Sequence, residues 1–169
     1  KIFIFENYNK LMNSNAGNET ILVTGAAGFI GAALVKALLA LDFKVIGIDN
    51  LNDYYSTSLK RSRLTEIEKV SKKNGKWFFY QIAIEDNKLF LEIINRYKPN
   101  ILVHLAAQAG VRYSITNPFA YVQSNLVGFA NVLEGCRQNK ITHLIYASSS
   151  SVYGGNKNLP FYEEQAVNH

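Results

Sequence analysis

Three glycines at three-residue spacing follow a short apolar run near the start of the chain, and they restrict the fold more than any other feature. Ile21-Leu22-Val23 leads into Thr24-Gly25-Ala26-Ala27-Gly28-Phe29-Ile30-Gly31 and then Ala32-Ala33-Leu34-Val35-Lys36-Ala37-Leu38-Leu39. An apolar run, glycines and an apolar helix-forming stretch read as buried strand, tight turn and helix. Gly25 can take the backbone conformation the turn needs, Gly28 lets the main chain approach a pyrophosphate, and Gly31 permits close packing of helix on strand. The helix start offers free N–H groups and the positive end of its dipole to phosphate oxygens. Val45-Ile46-Gly47-Ile48-Asp49 reads as the next strand and ends in an acid 24 positions after Gly25. A carboxylate there can accept both ribose hydroxyls of an adenosine, so the two elements together imply a dinucleotide of the NAD type rather than NADP.

From Ile21 onward, apolar runs alternate with helical patterns. Strands are expected at 20–24, 44–49, 77–82, 100–105 and 142–147, and helices at about 29–41, 57–73, 86–97 and 118–138. Leu89, Phe90, Ile93, Ile94 and Tyr97 recur at helical spacing, Pro99 is a stop signal, and Asn117-Pro118 is a start signal. Ile101-Leu102-Val103 and Leu144-Ile145-Tyr146 are nearly continuous in apolar residues, as strands covered on both faces are. The expected fold is α/β: a doubly wound parallel sheet of the Rossmann kind, in order 3-2-1-4-5, truncated after about five strands. Its ligand crevice lies at the carboxyl ends of strands 1 and 4.

The chain is 169 residues long, about one domain, and two parts are expected within it. Residues 1–19, rich in asparagine and without periodicity, read as a flexible extension, and 20–169 as the dinucleotide-binding domain. The chain does not begin with methionine, and Met12, its single one, is a candidate natural start. No apolar stretch is long enough to span a bilayer and no secretory signal is evident, so no membrane partner is expected. The lone Cys136 suits a reducing, cytoplasmic setting and reads as a small core residue. The net charge of +5 is concentrated in Lys60-Arg61-Ser62-Arg63 and Lys69-Val70-Ser71-Lys72-Lys73. These read as a solvated helix face, and without interleaved aromatics no nucleic-acid partner is expected. No Cys/His/Asp cluster has metal spacing, so no metal is expected. The tyrosines and phenylalanines read as core packing, and His104 as a packed histidine.

Two more loops leave strand ends where ligands belong. In His104-Leu105-Ala106-Ala107-Gln108-Ala109-Gly110-Val111-Arg112-Tyr113-Ser114, the small Ala106 and Ala107 leave room for a ribose and nicotinamide, and Arg112 can approach a ribose or phosphate. In Ala147-Ser148-Ser149-Ser150-Ser151-Val152-Tyr153-Gly154, four serines present hydroxyls to the cleft or cap a turn.

Taken in order, TGAAGFIG, DNLNDYY at 49–55, HLAAQAGVRYS at 104–114, SNLVG at 124–128 and SSSSVYG at 148–154 resemble the extended short-chain dehydrogenase/reductases. Within these the chain is most similar to NAD-dependent sugar-nucleotide epimerases, in particular the UDP-glucuronate 4-epimerase branch, over about 20–169. The resemblance assigns Gly25, Gly28, Phe29, Ile30 and Gly31 to the pyrophosphate loop, Asp49 and Asn50 to the adenosine ribose, and Ala106, Ala107 and Gln108 to the cofactor flank. It assigns Arg112 to the nicotinamide ribose, Asn125 to support of the active site, and Ser149 to the sugar 4-hydroxyl, with Ser148 and Ser150 beside it. The implied reaction interconverts UDP-glucuronate and UDP-galacturonate. A tyrosinate takes the 4-hydroxyl proton while hydride passes to NAD, and the ketosugar turns over before the hydride returns. Ala83 stands where similar chains carry aspartate, which implies a lost acceptor for the adenine amino group.

The Tyr-x-x-x-Lys pair of such enzymes is expected on a helix after the serine loop. The match here, Tyr153 to Lys157, encloses Gly154-Gly155, a poor helix, and reads as a decoy. The resemblance therefore implies that the catalytic tyrosine and lysine are missing, that this chain alone is inactive, and that the full-length parent is a homodimer. Three alternatives stand beside this reading: a sugar-nucleotide dehydratase fragment, a UDP-glucose 4-epimerase fragment, and a non-catalytic dinucleotide-binding module.

Overall fold

The computed structural model describes residues 19–72, 75–165 and 167. Apart from Glu19, the expected N-terminal extension lies outside these residues. Five strands form one parallel sheet: β1 (Thr20–Thr24), β2 (Lys44–Asp49), β3 (Trp77–Gln81), β4 (Ile101–His104) and β5 (His143–Tyr146). Their order is β3-β2-β1-β4-β5, as the alternation of strands and helices predicts. The register pairs Val23 with Gly47 on one side and with Val103 on the other.

The continuous apolar runs of β1, β2 and β4 are explained by the two-residue period of a strand, which sends neighbours to opposite faces. The β5 strand, expected to be covered on both faces, is instead an edge strand with Leu144 and Ile145 half-buried and Tyr146 exposed. Ile21, Val23, Val45, Ile101 and Val103 face one core together with Val35 and Leu38 of α1 (Phe29–Ala40) and Leu64 and Ile67 of α2 (Thr57–Ser71). Leu22, Ile46, Ile48 and Leu102 face the other, against Phe90, Ile93 and Ile94 of α3 (Asn87–Tyr97). Helix starts follow local chemistry. Ser56 Oγ accepts from the Leu59 N–H at 3.3 Å, and Asp86 Oδ1 from the Leu89 N–H at 3.1 Å. The α3 helix ends at Lys98, whose φ of 45° is left-handed, and Pro99 follows.

The expected single helix over 118–138 is corrected. Short α4 (Tyr113–Thr116) and α5 (Pro118–Tyr121) precede a π-helical turn at Val122–Val127, and α6 (Gly128–Asn139) follows. Asn117 and Pro118 break the first segment, with Asn117 Oδ1 capping the Ala120 N–H at 3.3 Å. In the π turn, the Gly128 N–H reaches back five residues to the Gln123 carbonyl. Such a turn accommodates one extra residue and is common at functional sites. Past β5, Ser150–Tyr153 forms a 3-10 turn. Among the described residues, no helix is long and apolar enough to cross a membrane, and no group of three His, Cys, Asp or Glu side chains could hold a metal.

Candidate functional site

The carboxyl ends of β1, β2 and β4 open into a cleft continuous with solvent. Gly25 has a φ of 69°, and a Cβ on it would lie 2.8 Å from the Leu105 and Ala106 main chain, so the turn brings β1 and β4 within backbone contact. A Cβ on Gly31 would stand 2.1 Å from the Gly25 carbonyl oxygen, which is how closely α1 sits on the turn. The Gly28 N–H donates to the Gly25 carbonyl at 3.0 Å. Among the described residues no side chain caps this end of α1, so its first-turn N–H groups are left to take an anion.

Asp49 is buried at the end of β2 and lines the cleft. Its Oδ2 accepts from the Ala27 N–H at 3.1 Å and its Oδ1 from the Leu51 N–H at 2.9 Å. These bonds fix the carboxylate to the glycine turn, and each oxygen keeps lone-pair capacity for a ribose hydroxyl. The residues present therefore fit an adenine dinucleotide: unpaired helix N–H groups for the pyrophosphate and an oriented carboxylate for the ribose.

Thr24 ties the turn to the strand-4 loop. Its buried Oγ1 accepts from the Leu105 and Ala106 N–H groups, both at 3.2 Å. With both lone pairs used, the hydroxyl proton points to His104 Nδ1 at 2.8 Å. This makes His104 the Nε2–H tautomer. The ring packs against Phe129 with centroids 5.4 Å apart, and burial lowers its pKa to about 4. The next support is Asn125 in the π turn, which holds both main-chain groups of Gln108. Its Oδ1 accepts from the Gln108 N–H at 2.8 Å, and its Nδ2 donates to the Gln108 carbonyl at 3.0 Å.

Gly25, Gly28, Asp49, Asn50, Ala106, Ala107 and Gln108 thus share one cleft. Phe29 and Ile30 are exposed at the helix start, and Gly31 is packed beneath them. Arg112 is exposed outside the lining of the cleft, at the cap of α4. Ser148, Ser149 and Ser150 are exposed beyond β5, and Ser149 Oγ caps the 3-10 turn through the Ser151 N–H at 3.3 Å. Tyr153 closes that turn and stacks on Phe161 at 4.5 Å, while Lys157 lies in irregular backbone, so the two do not share a helix.

Two readings from the sequence are corrected. Lys60 does not lie on a solvated face: it is 4% exposed and donates to the Asn52 carbonyl at 3.0 Å and Asn52 Oδ1 at 2.8 Å. Its Nζ is 3.9 Å from Asp49 Oδ1 and 4.7 Å from the centre of the Tyr55 ring. Arg63, one turn on, donates to the Ala27 carbonyl at 3.3 Å. Charge composition alone cannot distinguish an inward lysine from an outward one. Nor are all the tyrosines core packing. Tyr54 and Tyr55 line the cleft, Tyr54 packs on Tyr113 at 5.0 Å, and the Tyr121 hydroxyl donates to the Ala109 carbonyl at 3.1 Å and to that of Gly110. The DNLNDYY run was the available signal for this rim. Glu85 and Ser124 also line the cleft, without a prior signal.

Comparison with known proteins agrees with this geometry. The model of the GDP-mannose 4,6 dehydratase family matches residues 22–168. Protein CapI of Staphylococcus aureus is 48% identical over 88% of this chain and 43% of its own length. UDP-glucuronate 4-epimerase 4 of Arabidopsis thaliana is 43% identical over 92% of this chain and 35% of its own. The UDP-glucose 4-epimerase of Stenotrophomonas maltophila, solved with NAD and formylated UDP-arabinopyranose, superposes with a TM-score of 0.74 at 26% identity. It covers 88% of this chain and 42% of that one. The chain spans less than half the length of these relatives. On the glycine turn, the oriented acid and this match, the chain belongs to the GDP-mannose 4,6 dehydratase family, among the NAD-dependent epimerases and dehydratases of the extended short-chain dehydrogenase/reductases.

Proposed function

We propose that this chain is the NAD(H)-binding portion of a sugar-nucleotide 4-epimerase that interconverts UDP-glucuronate and UDP-galacturonate. The observation that carries the cofactor is Asp49, fixed by the Ala27 and Leu51 N–H groups at the mouth of the glycine turn. Gly25, Gly28, Phe29, Ile30 and Gly31 bind the pyrophosphate, Asp49 and Asn50 the adenosine ribose, and Ala106, Ala107 and Gln108 flank the rest, with Arg112 toward the nicotinamide ribose. Asn125 positions Gln108. When bound, the cofactor would accept and return a hydride. Ser149 holds the sugar 4-hydroxyl, with Ser148 and Ser150 beside it. The names of the relatives support the glucuronate substrate.

A dehydratase is the second reading, favoured by the name of the matching family model. Against it, such dehydratases typically carry acidic catalytic residues beside the serine-loop position, and Ser149-Ser150-Ser151 supplies none. The exposed Leu126 and Leu133 on the π turn and α6 support a homodimer of the full-length parent, and the single cysteine supports a cytoplasmic setting.

Calorimetric titration with NAD tests the cofactor. The chain is expected to bind NAD, and Asp49→Ala to weaken binding by about 1.5–3 kcal/mol through loss of a charged acceptor. Unchanged affinity would mean that the ribose is held elsewhere. With UDP-glucuronate the chain is expected to give no UDP-galacturonate, and measurable turnover would return Tyr153 and Lys157 to the catalytic role.

A further inference from the structure

Two tyrosines of the loop between β2 and α2 line the cleft, and the assignments above give them no role. Both are partly exposed, although aromatic rings of this size are normally packed away. The Tyr55 hydroxyl lies over the glycine turn, where a Cβ on Gly28 would stand 3.8 Å from it. Tyr54 reaches a different loop. Its hydroxyl is seated on Gly110, between β4 and α4, so closely that a Cβ on Gly110 would overlap the oxygen. The φ of 90° at Gly110 favours glycine there as well.

The seat is built from hydrogen-bonded parts, and Tyr54 is not. The Tyr54 ring packs on that of Tyr113 with centroids 5.0 Å apart. Tyr113 is fixed in turn by Asn117, whose Nδ2 donates to the Tyr113 hydroxyl at 2.9 Å. Tyr121 holds the loop itself by donating to the Ala109 carbonyl at 3.1 Å and to that of Gly110. The Tyr54 hydroxyl bonds to no other described residue, so ring packing and contact with Gly110 are what keep it in place. A side chain held this way can leave its seat without orphaning a polar group.

A dinucleotide running from Asp49, at the end of β2, to Ala106 and Gln108, after β4, crosses the glycine turn between them. Tyr54 joins the same two loops. We propose that Tyr54 is a strap that closes the cleft over the bound dinucleotide and swings off Gly110 to let it in and out. The inference rests on the NAD reading above. Opening separates one aromatic pair, an interaction whose loss changes an equilibrium by about two- to tenfold. The open form is therefore the minor one, and the strap slows entry and exit alike by about that factor.

The test is stopped-flow mixing of the parent, Tyr54→Ala and Tyr113→Ala with NADH, followed by the fluorescence of the dinucleotide. Association rates come from the dependence on NADH concentration, and dissociation rates from a chase with excess NAD. Tyr54→Ala is expected to raise both rate constants by about two- to tenfold. A side chain that only touched the ligand would change dissociation and leave association as it was. Tyr113 lies outside the lining of the cleft, so Tyr113→Ala reaches the ligand through the strap and should speed association to a similar degree. Far-UV circular dichroism checks that each variant is folded, and Tyr54→Ala decides alone if Tyr113→Ala is not. If the parent binds NADH and a folded variant associates at the parent's rate, the proposal falls and the NAD reading stands. If the parent binds no NADH, the NAD reading falls and the strap with it.

Discussion

Replacing Thr24 with valine should destabilise the protein far more than the loss of one hydroxyl on a surface would. Thr24 is fully buried between β1 and β4, and its hydroxyl bonds three groups. Valine keeps the shape and removes all three. The Leu105 N–H retains the Thr24 main-chain carbonyl at 3.2 Å, but the Ala106 N–H and His104 Nδ1 lose their partner. The two orphaned groups cost about 1–3 kcal/mol each, and the extra apolar methyl offsets roughly 1 kcal/mol, leaving about 1–5 kcal/mol. For a chain of this length that is a drop of about 2–20 °C in Tm. Urea denaturation followed through Trp77, the single tryptophan, measures it directly. Thr24→Ser is the control: it keeps the hydroxyl and loses one buried methyl, at about 1 kcal/mol. The reasoning is refuted if the valine variant is as stable as the serine variant. It is also refuted if ¹⁵N spectra of the parent place the His104 proton on Nδ1.

Two further outcomes follow from the same site. Stability should fall with acid through His104, because burial holds its pKa at about 4 against about 6.5 in the unfolded chain. The unfolded state takes up the proton first, so this contribution, at most about 3 kcal/mol, is intact above pH 6.5, declines between 6.5 and 4, and is gone below 4. Unfolding free energies from pH 7 to 4 should show a steeper decline in the parent than in His104→Asn, and equal slopes would assign the acid limb to other groups. Lys60→Met should cost about 1–3 kcal/mol, since the Asn52 carbonyl and side chain both lose a buried charged donor. Denaturation midpoints equal to the parent's would mean that the amine is solvated.

The architecture was legible because its signals are local. Apolar runs of strand length, the glycine turn, Asp86 before α3, Pro99 and Asn117-Pro118 each act within a few residues, and the strand order follows from chain alternation. Gly25, Gly28, Asp49, Asn50, Ala106, Ala107 and Gln108 converge because the carboxyl ends of a parallel sheet must meet at the point where its order reverses. The π turn was not legible, because its extra residue is stabilised by the Asn125 bonds to Gln108, 17 positions away in sequence. The same holds for the side-chain partners in space. Lys60 and Arg61 are neighbours with the same charge, yet Lys60 is buried beside Asn52 while Arg61 faces solvent. Glu85 and Asp86 are neighbouring acids, yet Asp86 caps α3 while Glu85 Oε2 is buried without a partner among the described residues.

Sequence by itself therefore determined the sheet, its order and the glycine turn, since backbone conformation and two-residue periodicity are properties of short segments. Tertiary structure alone decided which polar side chains are buried and which of them are paired. Burial and hydrogen-bond satisfaction depend on elements that meet only after the chain has folded.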